Sequence, residues 1–180
     1  MGQVFGAGHA RTERRRRRAW RAVRRLALAG LGFGAVAPAV AATATTTFAV
    51  QITITTSCVI NSAATLNFGS QGVLAANVDQ TATIQVQCTS STPYNLRLDA
   101  GTSGGTVTTR KMTNGANTVS YSLFRDAART LNWGVTDGTD TVSGTGNGAS
   151  QSITVYGRVP AQTTPAPAAY SDTVTLTVSY

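Results

Sequence analysis

After position 41 the chain has no histidine and no glutamate, and Lys111 is its only lysine. Proton transfer near neutral pH needs a side chain that can be tuned to that range, and these are the usual ones. Their absence removes most acid–base chemistry. A Ser–Lys pairing through Lys111 is the one nucleophilic arrangement left, and Lys111 lies beside Arg110 in a Gly/Thr-rich stretch that reads as an exposed hairpin. The remaining acids, Asp79, Asp99, Asp126, Asp137, Asp140 and Asp172, fall at turns or strand starts, where such side chains satisfy backbone donors. The glycine clusters are not followed by helical sequence, so a phosphate-cradling loop is also missing. The chain reads as a non-enzyme with no cofactor.

Charge is scarce too once its location is noted. Nine of the fifteen basic residues lie within the first 25 positions, at Arg11, Arg14 to Arg18, Arg21, Arg24 and Arg25. An apolar run from Leu26 to Ala37 follows, then Pro38-Ala39-Val40-Ala41-Ala42. Basic region, apolar region and an A-x-A site predict a secretory signal peptide over residues 1–41. A membrane anchor needs about 20 apolar residues, and this run is shorter and broken by glycines. An arginine-rich nucleic-acid arm would call for a basic patch in the rest of the chain. Beyond residue 41 the basic side chains Arg97, Arg110, Lys111, Arg125, Arg129 and Arg158 are matched one for one by the six aspartates. No nucleic-acid partner and no stable membrane insertion are expected, and Arg24-Arg25 fits a twin-arginine signal poorly.

Cysteine occurs twice, as Cys58 and Cys88, both in the exported part. In an oxidising compartment a disulfide is the simplest reading, with two buried free thiols as the alternative. Metal binding is the weakest, since the single histidine, His9, leaves with the signal.

What is abundant is Thr, Ser, Ala, Val and Gly, with frequent turn signals and no helical periodicity, so the chain reads as all-β. Two segments alternate strictly. Near the start, Phe48, Val50, Ile52 and Ile54 share one face; at the end, Val174, Leu176, Val178 and Tyr180 do. Between them, strands are predicted at Cys58 to Ile60, Thr65 to Phe68, Thr81 to Cys88, around Tyr94 to Leu98 and Val119 to Leu123, at Leu131 to Val135, Thr139 to Ser143 and Ser150 to Val159. Asn114-Gly115, Asp137-Gly138 and Gly144 to Gly148 mark turns, and the proline-bearing stretch 160–169 must be a connection. About nine short strands is the density of an immunoglobulin-like β-sandwich. Trp133 and Phe124 read as core, and the charged segment Arg125-Asp126-Ala127-Ala128-Arg129 as a surface connection whose charges are solvated or locally paired.

Several stretches together resemble the spore coat protein U domain, the fold of subunits of archaic chaperone-usher pili. They are Tyr121 to Arg129 with Trp133-Gly134, Val142 to Gly146, Val155 to Pro160 and Tyr170 to Tyr180, and the cysteines are placed like the pair that bridges the first two strands of such subunits. The resemblance covers nearly all of residues 44–180. It implies an incomplete immunoglobulin-like sandwich at 57–180 that lacks its last strand and is completed by a donor strand. A periplasmic chaperone would fill the gap first, and at an outer-membrane usher the N-terminal segment of the next subunit would replace it. On this reading residues 42–56 are a donor-strand extension with Phe48, Val50, Ile52 and Ile54 as its buried face. Val174, Leu176, Val178 and Tyr180 form the strand that meets the chaperone and lines the acceptor groove. Where many pilins carry a glycine ahead of the last strand, this chain has Pro167.

The implied function is a structural subunit of a secreted surface fibre, passing through the periplasm to the cell surface, with a role in adhesion or biofilm formation. A secreted spore-coat or matrix protein of the same fold is the alternative. A carbohydrate-binding adhesin is a third reading, and a tip adhesin would need a second, receptor-binding domain.

Overall fold

A computed structural model describes residues 38–180. Residues Val50–Tyr180 form one compact unit. Most of the expected signal peptide lies outside the described residues; its last positions, 38–41, are exposed and carry no secondary structure. Among the described residues no helix is long and apolar enough to cross a membrane.

The strands are β1 (Cys58–Ala63), β2 (Val78–Cys88), β3 (Pro93–Leu98), β4 (Arg110–Asn114), β5 (Asn117–Phe124), β6 (Val142–Thr145), β7 (Ser150–Val159) and β8 (Leu176–Ser179). They build two sheets, one in the order β1-β2-β7-β5-β4 and one in the order β6-β3-β8. Every pairing between them is antiparallel. The all-β sandwich read from the sequence is the fold observed.

Alternation decides which face is buried. Ile84, Val86 and Cys88 of β2, Tyr94, Leu96 and Leu98 of β3, and Val119, Tyr121 and Leu123 of β5 all enter the core. Their odd-step neighbours, such as Gln85, Gln87, Asn95 and Ser122, are only half-buried. Trp133 is fully buried, and its Nε1–H donates to Leu96 O at 2.8 Å. Cys58 and Cys88 face each other across the β1–β2 ladder and are joined by a disulfide.

The first strand starts at Cys58, and residues 48–55 precede it without forming a strand. Four local expectations are corrected. Residues 65–68 alternate but pair with no strand, and 131–135 is a loop whose Trp133 N–H reaches Leu123 O. The C-terminal strand begins at Leu176 rather than Tyr170, with Ser171 bridged to Thr113 of β4 on the way. Lastly, the Arg110–Lys111 stretch opens a strand, and Arg110 is buried, because its guanidinium finds carbonyl acceptors inside the sandwich.

Candidate functional site

The site grows out of β8, the last strand of its sheet. β8 pairs with β3 from Asn95↔Ser179 to Leu98↔Leu176. Just before it, Thr175 faces β3: its carbonyl accepts the Asp99 N–H at 3.1 Å and its own N–H donates to Asp99 Oδ1 at 2.8 Å. Successive residues of a strand point their backbone groups to opposite sides. Those of Val174, Leu176 and Val178 therefore turn away from β3, and among the described residues no strand pairs with them. Their side chains are half-buried against the core, while Thr173, Thr175 and Thr177 are exposed. Tyr180 lies past the strand end and is largely exposed.

Beside this free edge runs a groove of about 1160 Å³. Its floor is the inner face of the larger sheet, with Ala82 and Ile84 of β2, Val155 and Val159 of β7, and Val119, Tyr121 and Leu123 of β5. One wall is the stretch 164–176, including Val174 and Leu176; the other is 63–74, the crossing between β1 and β2. The groove thus lies between two backbone segments that share no strand pairing and meet where the Leu74 N–H donates to Thr164 Oγ1. An unpaired edge above an apolar floor is the geometry that accepts an added strand.

The corner where β8 begins is fixed by buried charge. Arg110 is 0% exposed and donates to four carbonyls: Nε to Asp99 O at 2.7 Å, Nη1 to Val107 O at 2.8 Å, and Nη2 to Leu98 O at 2.9 Å and Trp133 O at 2.7 Å. Burial pushes the Arg110 guanidinium below its ordinary value, against the pull of Asp99, Asp172 and Asp140 nearby. Asp99 in turn accepts the Gly101 and Thr175 N–H groups, and Asp172 accepts the Tyr121 hydroxyl at 2.7 Å and the Thr102 N–H at 3.0 Å. Burial works against ionisation of Asp99, but the donors from Thr175 and Gly101 outweigh it and its carboxyl titrates below the usual range. Burial and the Asp172 carboxylate raise Tyr121. These are holding contacts for the end of β3 and the start of β8.

The expected donor face belongs to no strand. Phe48, Val50, Ile52 and Ile54 are 73 to 85% exposed. Within the charged segment Asp126 is paired locally, accepting the Thr130 and Leu131 N–H groups; Arg125 donates to Thr139 O and Thr141 O, and Arg129 reaches across to Asp79 and to Gly157 O. Trp133 and Phe124 are buried, which leaves neither ring free to stack on a sugar. Among the described residues no cluster of metal-ligating side chains occurs. Two features were not legible in the sequence as parts of the site. Arg110 was read as solvated, and Leu66 and Phe68 as a strand rather than as side chains hanging over the groove floor.

Comparison with known proteins agrees with this fold. Protein U of Myxococcus xanthus is 35% identical over 140 residues, covering 69% of this chain and 78% of that protein. Among solved structures, a chain of the CsuC–CsuE chaperone–tip adhesion subunit pre-assembly complex, from the archaic chaperone-usher Csu pili of Acinetobacter baumannii, aligns with a TM-score of 0.51 and 25% identity. That alignment covers 71% of this chain and 40% of the other. Residues 44–177 match the Spore Coat Protein U domain, and the chain belongs to that family.

Proposed function

We propose that this chain is a structural subunit of a secreted surface fibre, assembled by donor-strand exchange as in archaic chaperone-usher pili, with a role in adhesion or biofilm formation. The observation that supports this reading is that one molecule carries an apolar groove beside the free edge of β8 and an exposed alternating segment, Phe48 to Ile54. The segment of one copy would lie in the groove of the next. Such a contact is heterologous, so copies add head to tail into an open fibre.

Magnitudes indicate how the joint would be made. Burying Phe48, Val50, Ile52 and Ile54 contributes about 1.5 to 3 kcal/mol each, or roughly 6 to 12 kcal/mol in all. Association and ordering cost about 4 to 15 kcal/mol. Side-chain burial alone barely breaks even, so a long-lived joint requires the donor backbone to pair with the walls as well. Until a donor arrives, a periplasmic chaperone would cover the edge, and an outer-membrane usher would direct the exchange. The solved neighbour, described as a chaperone–tip subunit pre-assembly complex, supports a chaperone partner.

A second reading is a secreted coat or matrix protein of the same fold, favoured by the family's description and by the Myxococcus xanthus relative. Electron microscopy of cells with and without the gene separates a fibre from a coat. The test of donor-strand exchange is deletion of residues 42–50. The shortened chain should remain folded, disulfide-bonded and chaperone-bound, yet form no fibres. Fibres from the shortened chain would refute the reading, as would its unfolding while the full-length chain is stable alone.

A further inference from the structure

The floor of the groove is already covered by the chain itself. Ile84, Tyr121, Val155 and Val159 are only 2 to 6% exposed. A donor strand that simply lay down on this surface would find little floor left to bury. The cover is the crossing 64–74. Leu66 and Phe68 reach inward over β7, and the Phe68 ring meets Tyr121 edge to face, with centroids 6.3 Å apart. Gly157 makes the approach possible. A Cβ there would stand 2.8 and 2.9 Å from the two Leu66 methyls and 3.0 Å from Phe68 Cζ, closer than a side chain can be accommodated without displacement.

Its ends, by contrast, are anchored by few bonds. Ala64 N–H donates to Thr83 O at 2.9 Å. At the other end Leu74 N–H donates to Thr164 Oγ1 at 2.8 Å, and Leu74 O accepts the Gln162 N–H at 3.0 Å. Between these anchors the hydrogen bonds are local, from Gly69 N–H to Asn67 Oδ1 and from Gln71 Nε2 to Phe68 O. Gly69 sits at φ +73°, a conformation that other residues rarely adopt.

We propose that residues 64–74 are a strap that closes over the groove floor of the uncomplemented subunit and must swing outward to admit a donor strand, with Leu66 and Phe68 as its seat and the Leu74–Thr164 contact as its latch. The inference rests on the groove being the acceptor site. A seated strap hides apolar floor from unwanted partners and exposes it only as a matching strand enters. Opening the strap then limits the rate of exchange.

The test uses the full chain and a fluorescent peptide of residues 44–56, with association followed by anisotropy. Thr164→Val preserves shape but removes the latch acceptor. It should speed association by up to about fivefold, the equivalent of one net hydrogen bond. Amide exchange over residues 65–73 should also quicken before peptide is added. Phe68→Ala unseats the strap and should bind faster still. If the wild-type chain binds peptide while both variants bind at its rate or more slowly, Phe68 is a fixed wall and the strap is refuted with the acceptor groove intact. A wild-type chain that binds no peptide removes both readings.

Discussion

Replacing Arg110 with methionine should cost about 3 to 5 kcal/mol of stability, the range for disrupting a buried charged site. Four carbonyls, of Leu98, Asp99, Val107 and Trp133, would lose donors now at 2.7 to 2.9 Å. Orphaning a buried acceptor costs about 1 to 3 kcal/mol, so the gross loss is roughly 4 to 12 kcal/mol. Relief from burying a cation offsets several kcal/mol of that, because desolvating an ion is itself expensive. The residue is still a large share of the about 5 to 15 kcal/mol that holds a typical domain together. Arg110→Lys keeps the charge but lacks the planar fork that reaches four acceptors at once, so it should fall between wild type and Arg110→Met. Urea unfolding with the disulfide intact measures both variants, with equal m-values required for the comparison. An Arg110→Met midpoint within about 1 kcal/mol of wild type would show that the four contacts contribute little net and refute this account of the corner.

Mass spectrometry of unreduced protein should find no alkylatable thiol, and reduction should then lower stability by about 3 to 4 kcal/mol, the chain-entropy expectation for a loop of this size. Val178→Asp should abolish recovery with the cognate chaperone, since it puts a charge on the half-buried face of β8; undiminished co-purification would count against the edge as the chaperone's contact. Acid should loosen the start of β8. Asp99 titrates below its ordinary value when folded, so its contribution is present above the unfolded carboxyl value of about 3.9 and is lost as pH falls through the lower folded value. Asp99→Asn should accordingly flatten the stability profile below about pH 4, and an unchanged profile would place the acid-sensitive contact elsewhere.

Where the chain alternates and both neighbours are strands, the sequence is a good guide. Ser150 to Val159 is found as a strand over the expected span, and the inward faces of β2, β3 and β5 are those read from their apolar residues. Legibility fails where a side chain's environment is assembled from distant segments. Nothing local marks Arg110 as buried, because its acceptors come from β3, from Val107 and from the Trp133 loop. Leu66 and Phe68 do show their alternation. What cannot be read is that their backbone crosses the inner face of the sandwich instead of joining a sheet, since that depends on the missing side chain at Gly157.

The two clearest alternations in the chain meet opposite fates, and the difference bears on function. Val174 to Val178 is held because β3 offers a backbone partner, Asp99 anchors Thr175, and the core offers a place for the apolar face. Phe48 to Ile54 has the same pattern and larger side chains, yet it forms no strand and stays exposed. β-Propensity measures fit to a pleated, half-buried surface rather than an intrinsic preference of the backbone. On the donor-strand proposal, a segment so well suited to such a surface finds it on another molecule. Moving that pattern should move the joint: a chain in which Phe48, Val50, Ile52 and Ile54 are all changed to serine keeps every core contact described for β1 to β8. It should therefore unfold at the wild-type midpoint and yet fail to add to a neighbour. A matching loss of stability would instead show that the segment completes its own sandwich, and donor-strand exchange through it would be wrong.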